Sequence, residues 1–128
     1  WRGAFSGVIE ATVQAMQQLG ARTQQISATI GPAIAQASYE VGQEFYERFL
    51  TQNSEHQRFF APSNRPGHFL FNLPAYAQMR LQQAGISSIN IIANDTCLLD
   101  NAFFSYRRSC LRGESAYGRQ ISAITLAE

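Results

Sequence analysis

The chain has 128 residues, 45% of them hydrophobic, with ten basic and nine acidic side chains and a formal net charge of +1. That size and apolar content fit one globular domain, residues 1–128, which buries a core without disulfide or metal staples. So near-neutral a charge argues against the clustered basic surface of a nucleic-acid or anionic-membrane binder. No run approaches the roughly 18 apolar residues of a membrane span, no signal-peptide pattern opens the chain, and its two cysteines, Cys97 and Cys110, do not make a secreted disulfide framework. The expectation is a soluble, reduced, cytoplasmic protein with neither nucleic acid nor membrane as partner.

From Ala4 to Leu19, the positions Phe5, Val8, Ile9, Thr12, Met16 and Leu19 recur at three- and four-residue spacing, and Gly20 supplies a stop. This predicts one amphipathic helix. Its only lead-in is Trp1-Arg2-Gly3, and an indole at a bare terminus has little to pack against, so the chain reads as cut from something longer. Ile26–Ile30 alternates with period two and breaks at Gly31-Pro32, as a strand does. In α/β sheets ligands collect beyond the carboxyl ends of strands, which makes residues 31–39 a functional loop if the strand is central and an ordinary connection if it is not.

Val41, Phe45, Tyr46, Phe49 and Leu50 mark a second amphipathic helix, with Glu44 and Arg48 as an i,i+4 pair on its wet side. Residues 51–58 read as a polar surface turn. Pro62, Pro66 and Gly67 punctuate a loop before the buried strand His68–Phe71. Asn72 can cap a third helix with Pro74 in its first turn, carrying Leu73, Ala77, Leu81 and Ala84 inward until Gly85. Ser88–Ile92 is a further strand, 95–100 a turn, 103–108 an extended stretch, 112–118 a polar connection, and Arg119–Leu126 a last strand. The order predicts an α/β (α+β) protein: a mixed β-sheet with flanking helices.

Phe103-Phe104-Ser105-Tyr106-Arg107-Arg108 is too apolar for a free loop and too cationic for a core strand. Extended backbone alternates faces, so Arg107 and Arg108 point opposite ways and one of them can look into a pocket for an anion. All ten basic residues are arginines. Genome composition accounts for that, and so does the suitability of the planar guanidinium fork for phosphate or carboxylate. His56 lies in the polar turn and His68 at a strand start, neither with a partner at metal-ligand spacing, so they read as a surface and a strand-end histidine. Cys97 and Cys110 read as ordinary thiols, and Ser6, Ser38 and Ser105 fit no nucleophile elbow. Neither a P-loop nor a G-x-G-x-x-G loop is present. What remains is Arg2, Arg107, Arg108, Arg119 and the backbone N–H groups around Gly31: anion-binding groups without a catalytic centre.

Trp1-Arg2-Gly3, Gly31-Pro32, Tyr39-Glu40-Val41-Gly42, Phe71-Asn72-Leu73, Asp95-Thr96, Phe103 through Arg108 and Gly118-Arg119 occur in the order found in the later half of the laccase-domain proteins. The chain resembles that family, also called polyphenol-oxidase-like, which includes purine nucleoside phosphorylases and the bacterial peptidoglycan editing factor. The resemblance implies a layered α/β sandwich and a zinc or copper centre made by two histidines and a cysteine. The last of those histidines belongs to a His-Ala-Gly-Trp-Arg-Gly motif that is present here only from Trp1 onward, so all three ligands would lie upstream and none within this chain. On this basis the full-length protein is expected to be a metal-dependent purine nucleoside phosphorylase acting on adenosine or inosine with phosphate, with possible adenosine deaminase activity. A peptidoglycan-precursor amidase and a copper-dependent phenol oxidase are the alternatives. The chain alone is expected to be a non-catalytic fragment that binds no metal and is prone to self-association. Arg2 and one of Arg107 and Arg108 would hold phosphate or another substrate anion, with Gly31, Pro32 and Tyr39 shaping the neighbouring wall. Ala37 and Ser38 stand where members often have cysteine, Asn72 where they have aspartate, and Cys97 where they have tyrosine.

Overall fold

The computed structural model describes residues 1–125. The predicted first helix is two, α1 (Arg2–Phe5) and α2 (Val8–Gln18), divided at Ser6-Gly7. Gly7 has φ 88°, a left-handed conformation that costs glycine little and other residues much more. The break separates two loyalties. Phe5 packs on one hydrophobic cluster and Val13 is buried in another, which a straight helix with a single apolar stripe serves less well.

The strand after α2, β1 (Ser27–Ile30), pairs in parallel with β5 (Ser88–Ile91), in register from Ser27 opposite Ser88 to Ile30 opposite Ile91. A second, antiparallel sheet has the order β2-β4-β3, formed by β2 (Glu40–Gly42), β3 (Phe60–Pro62) and β4 (His68–Phe71). Val41 therefore belongs to a strand, and the predicted second helix, α3, runs from Gln43 to Gln52. Strand β3 occupies a stretch that the sequence predicts as loop, because Pro62 looks like loop punctuation. At a sheet edge, however, proline's missing N–H forfeits no ladder bond.

The polar stretch 51–58 is not a simple surface turn. It finishes α3 and continues as a 3₁₀ turn, Ser54–Phe59, which buries His56 to 5% exposure with Nδ1 3.1 Å from the Phe49 carbonyl oxygen. The next helix, α4 (Leu73–Gln83), is capped as predicted, the Asn72 side chain accepting from the Ala75 N–H at 3.0 Å. Leu73 packs beside the first cluster and Leu81 and Ala84 beside the second, but its buried residues are Tyr76 and Met79. The main core thus gathers Val41, Phe49, Phe59, Phe71, Tyr76 and Met79 between α3, α4 and the antiparallel sheet. Phe49 lies 4.8 Å from Phe71 and 5.0 Å from Tyr76, ring centre to ring centre. Each such fully buried ring contributes roughly 2–3 kcal/mol of transfer free energy.

The last third of the chain departs from the predicted extended segments in two places. Residues 103–108 are not extended throughout: Ser105 is the N-cap of α5 (Tyr106–Arg112), its side chain accepting from the Arg108 N–H, and Gly113 ends the helix at φ 67°. Residues 119–125 form no strand, Ile121 and Ile124 being exposed, and Leu126 lies outside the described residues. The architecture is the expected mixed α/β one, with parallel and antiparallel sheets and flanking helices. Among the described residues no helix is long and apolar enough to cross a membrane.

Candidate functional site

The loops that leave the carboxyl ends of β1 and β5 are fastened to each other. Ala33 and Asp95 form a parallel bridge, the Ala33 N–H donates to the Asn94 carbonyl at 3.2 Å, and the Thr96 N–H donates to the Ala33 carbonyl at 3.1 Å. The Ser38 hydroxyl donates to Asp95 Oδ2 at 2.6 Å, while the Cys97 N–H donates to Oδ1 at 2.8 Å. Burial pushes the Asp95 carboxyl up, but these hydrogen bonds more than offset it and hold the group below its usual range. The clasp sets Tyr39 and Thr96 in the wall of one cavity of about 590 Å³, the crevice position that parallel strands favour.

Aromatic side chains supply much of the lining: Trp1, Tyr39, Phe45, Phe104 and Tyr106. Arg107 joins them, its guanidinium 5.6 Å from the centre of the Tyr39 ring, and among the described residues no carboxylate pairs with it. Burial raises the Tyr39 phenol above its ordinary value and nearby Arg107 only partly opposes this, so its hydroxyl remains a donor at neutral pH. A free cation beside a neutral donor is an arrangement for an anion.

Arg108 does different work. Its Nη1 donates to the carbonyls of Thr96 at 2.8 Å and Cys97 at 3.1 Å, its Nη2 to the carbonyl of Phe103, and its Nε lies 3.1 Å from Asp100 Oδ1. With those donors committed, it fixes the 96–103 loop to α5. The helix separates neighbouring side chains by about 100° rather than the half-turn of a strand, and so sends Arg107 to the cavity and Arg108 into the backbone.

The other anticipated groups lie elsewhere. Arg2 is exposed at the start of α1, 5.7 Å from the centre of Trp1, a ring that Arg48 also approaches at 5.4 Å. Arg119 sits 4.9 Å from the Tyr117 ring. Gly31 and Pro32 are outside the lining, which takes up their loop at Ile34 and Tyr39. A β-carbon on Gly31 would sit 3.7 Å from Ser122 Oγ, so this glycine faces the last described segment.

Glu40, Arg65, His68 and Thr96 also line the cavity, though the sequence assigns none of them a site role and marks Glu40 and Thr96 only as parts of family motifs. Glu40 accepts from Arg65 Nη1 at 2.6 Å and from the Ser63 hydroxyl, and these bonds, led by that of Ser63, hold its carboxyl below the usual range. The local signal for Glu40 is its place in the Tyr39-Glu40-Val41-Gly42 motif, directly after the expected wall residue Tyr39. Phe104 owes its place to Gly118, where a β-carbon would come within 2.4 Å of the ring. No three His, Cys, Asp or Glu side chains among the described residues converge to hold a metal, so these residues do not fit the zinc or copper centre.

A family model for the multi-copper polyphenol oxidoreductase laccase matches residues 1–127. The chain is 36% identical to a purine nucleoside phosphorylase of Rickettsia conorii over 98% of its own length and 52% of that protein's. It is also 31% identical to an adenosine deaminase from an unknown prokaryotic organism, over 84% of the chain and 42% of that relative. The crystal structure of the Bacillus licheniformis protein YfiH superposes with a TM-score of 0.78 at 25% identity, covering 91% of this chain and 44% of that one. The chain thus spans about half the length of the relatives it matches. With a match that runs from its first residue to its last but one, and the same fold in a solved relative, the chain belongs to the multi-copper polyphenol oxidoreductase laccase family.

Proposed function

We propose that this chain forms the anion-holding part of a purine nucleoside phosphorylase whose full-length form cleaves adenosine or inosine with phosphate. The observation that carries the reading is Arg107, a cation with no carboxylate partner among the described residues, set over Tyr39 in an aromatic-lined cavity. The guanidinium fork can take two phosphate oxygens at once and the Tyr39 hydroxyl a third, while the aromatic walls offer faces and edges to a purine. Held there, phosphate is oriented for attack at the anomeric carbon, a C1'–oxygen bond forming as the bond to the purine nitrogen breaks and the purine leaves with the electron pair. The name of the Rickettsia relative supports this choice of reaction. The described residues make no site for the zinc or copper implied by the family, so the reading assigns them binding and orientation only.

The test is phosphate-dependent release of adenine or hypoxanthine by the full-length protein, with Arg107→Gln alongside. We expect release that rises with phosphate and a variant whose KM for phosphate climbs at least about tenfold, the loss of roughly 1.4 kcal/mol of charge-assisted bonding. Absence of release with zinc or copper supplied sinks the reading. Loss of ammonia from adenosine without phosphate would instead favour deamination, the reaction named for one relative.

A further inference from the structure

The β2–β4 pair builds a second polar wall in the same cavity, and its hydrogen bonds leave one group available. Glu40 is opposite Leu70 and Gly42 opposite His68, so Glu40 and His68 lie two positions apart on facing strands and project from the same face of the sheet. Both line the cavity. Glu40 is already engaged: one carboxylate oxygen accepts from Arg65 and the other from Ser63. The charge of Arg65 is matched by the same contact, at 2.6 Å.

His68 differs. Its Nδ1 lies 3.0 Å from the Pro66 carbonyl oxygen, which can only accept, so the ring hydrogen of the neutral imidazole sits on Nδ1. The lone pair is then on Nε2, which no donor reaches among the described residues. One cavity therefore contains a cationic donor and a phenol at Arg107 and Tyr39, aromatic surface at Trp1, Phe45 and Phe104, and, in the neutral form of the His68 ring, an acceptor at Nε2.

We infer that His68 is a specificity-determining residue of this cavity, its Nε2 accepting a hydrogen bond from a hydroxyl or amino group of a bound nucleoside. The assignment rests on the nucleoside reading of the site given above and adds the group that recognises the uncharged part of the ligand. Inorganic phosphate is mostly acceptor oxygens, with only a residual P–OH to donate, and gains less from such an acceptor. Adenosine, with an exocyclic amine and sugar hydroxyls, gains more.

The experiment uses the 128-residue chain with ¹⁵N label, titrated separately with adenosine and with inorganic phosphate, while the His68 imidazole is followed by long-range ¹H–¹⁵N NMR. Adenosine is expected to move the Nε2 resonance saturably. His68→Phe, which keeps a flat ring but has no acceptor, is expected to weaken adenosine binding about fivefold, the worth of one net hydrogen bond, and to weaken phosphate binding by less. Adenosine binding to the wild type with Nε2 unmoved, or to the variant as tightly, overturns the inference and leaves the nucleoside reading standing. No adenosine binding by the wild type overturns the inference together with that reading for this chain. If the variant does not fold, the wild-type resonance decides alone.

Discussion

Phe49 and Phe71 are held by burial, both with 0% exposure, whereas α5 leaves Leu111 75% exposed and is fastened largely through the hydrogen bonds of Arg108. The contrast teaches where stability and recognition reside. In the aromatic core any ring removed leaves a void that several neighbours feel, so cost is shared and large. Around α5 a few directional bonds set the position of one helix, so loss is smaller and local. The cavity lies between these regimes, one wall from the core sheet and one from the helix.

The largest effect should come from the core. Phe49→Ala is expected to cost about 3–5 kcal/mol, enough to unfold a domain of ordinary stability, as read from a denaturant midpoint. An intact, cooperative transition near the wild-type midpoint would show that the core is not the structural centre assigned to it.

Next are the adjacent arginines, which separate the two regimes within one helical turn. Arg108→Ala should cost about 2 kcal/mol, because the carbonyls of Thr96, Cys97 and Phe103 lose a shared donor. Hydrogen exchange should quicken across residues 96–112 and remain slow in α3. Arg107→Ala should change stability by less than about 0.5 kcal/mol. Equal destabilisation by both variants would remove the distinction between a structural and a binding arginine.

The smallest effect is a pH slope. Burial holds the His56 imidazole below its ordinary 6.5, the Phe49 carbonyl only partly opposing. The unfolded chain therefore takes up this proton before the folded one. The stabilising contribution is complete above about pH 6.5 and declines as pH falls below it towards the lower folded-state value. His56→Gln should flatten the decline of stability just below pH 6.5 relative to the wild type, measured by urea unfolding at a series of pH values. An unchanged slope would mean that His56 is solvated and that the 3₁₀ turn does not seal the core.

Much of this was legible along the chain. The strands Ser27–Ile30, His68–Phe71 and Ser88–Ile91 and the Asn72 cap follow from alternation, punctuation and capping chemistry. The same chemistry was present at α5, where Ser105 and Gly113 bracket a short helix, but aromatic residues with high strand propensity concealed it. The burial of His56 left no such trace. A polar run turns inward only because α3 and Tyr76 offer an apolar seat, with the two rings 5.2 Å apart.

Local physics, carried by the sequence itself, determined which segments form helices and strands, that two arginines stand together, and which family the chain resembles. Tertiary structure alone decided their division of labour. A helix turns Arg107 and Arg108 by about 100°, and three carbonyls brought in from the 96–103 loop claim the second, leaving the first over Tyr39. That Nε2 of His68 meets no donor among the described residues is likewise a property of the fold, because only the turn at Pro66 places a carbonyl where it fixes the tautomer.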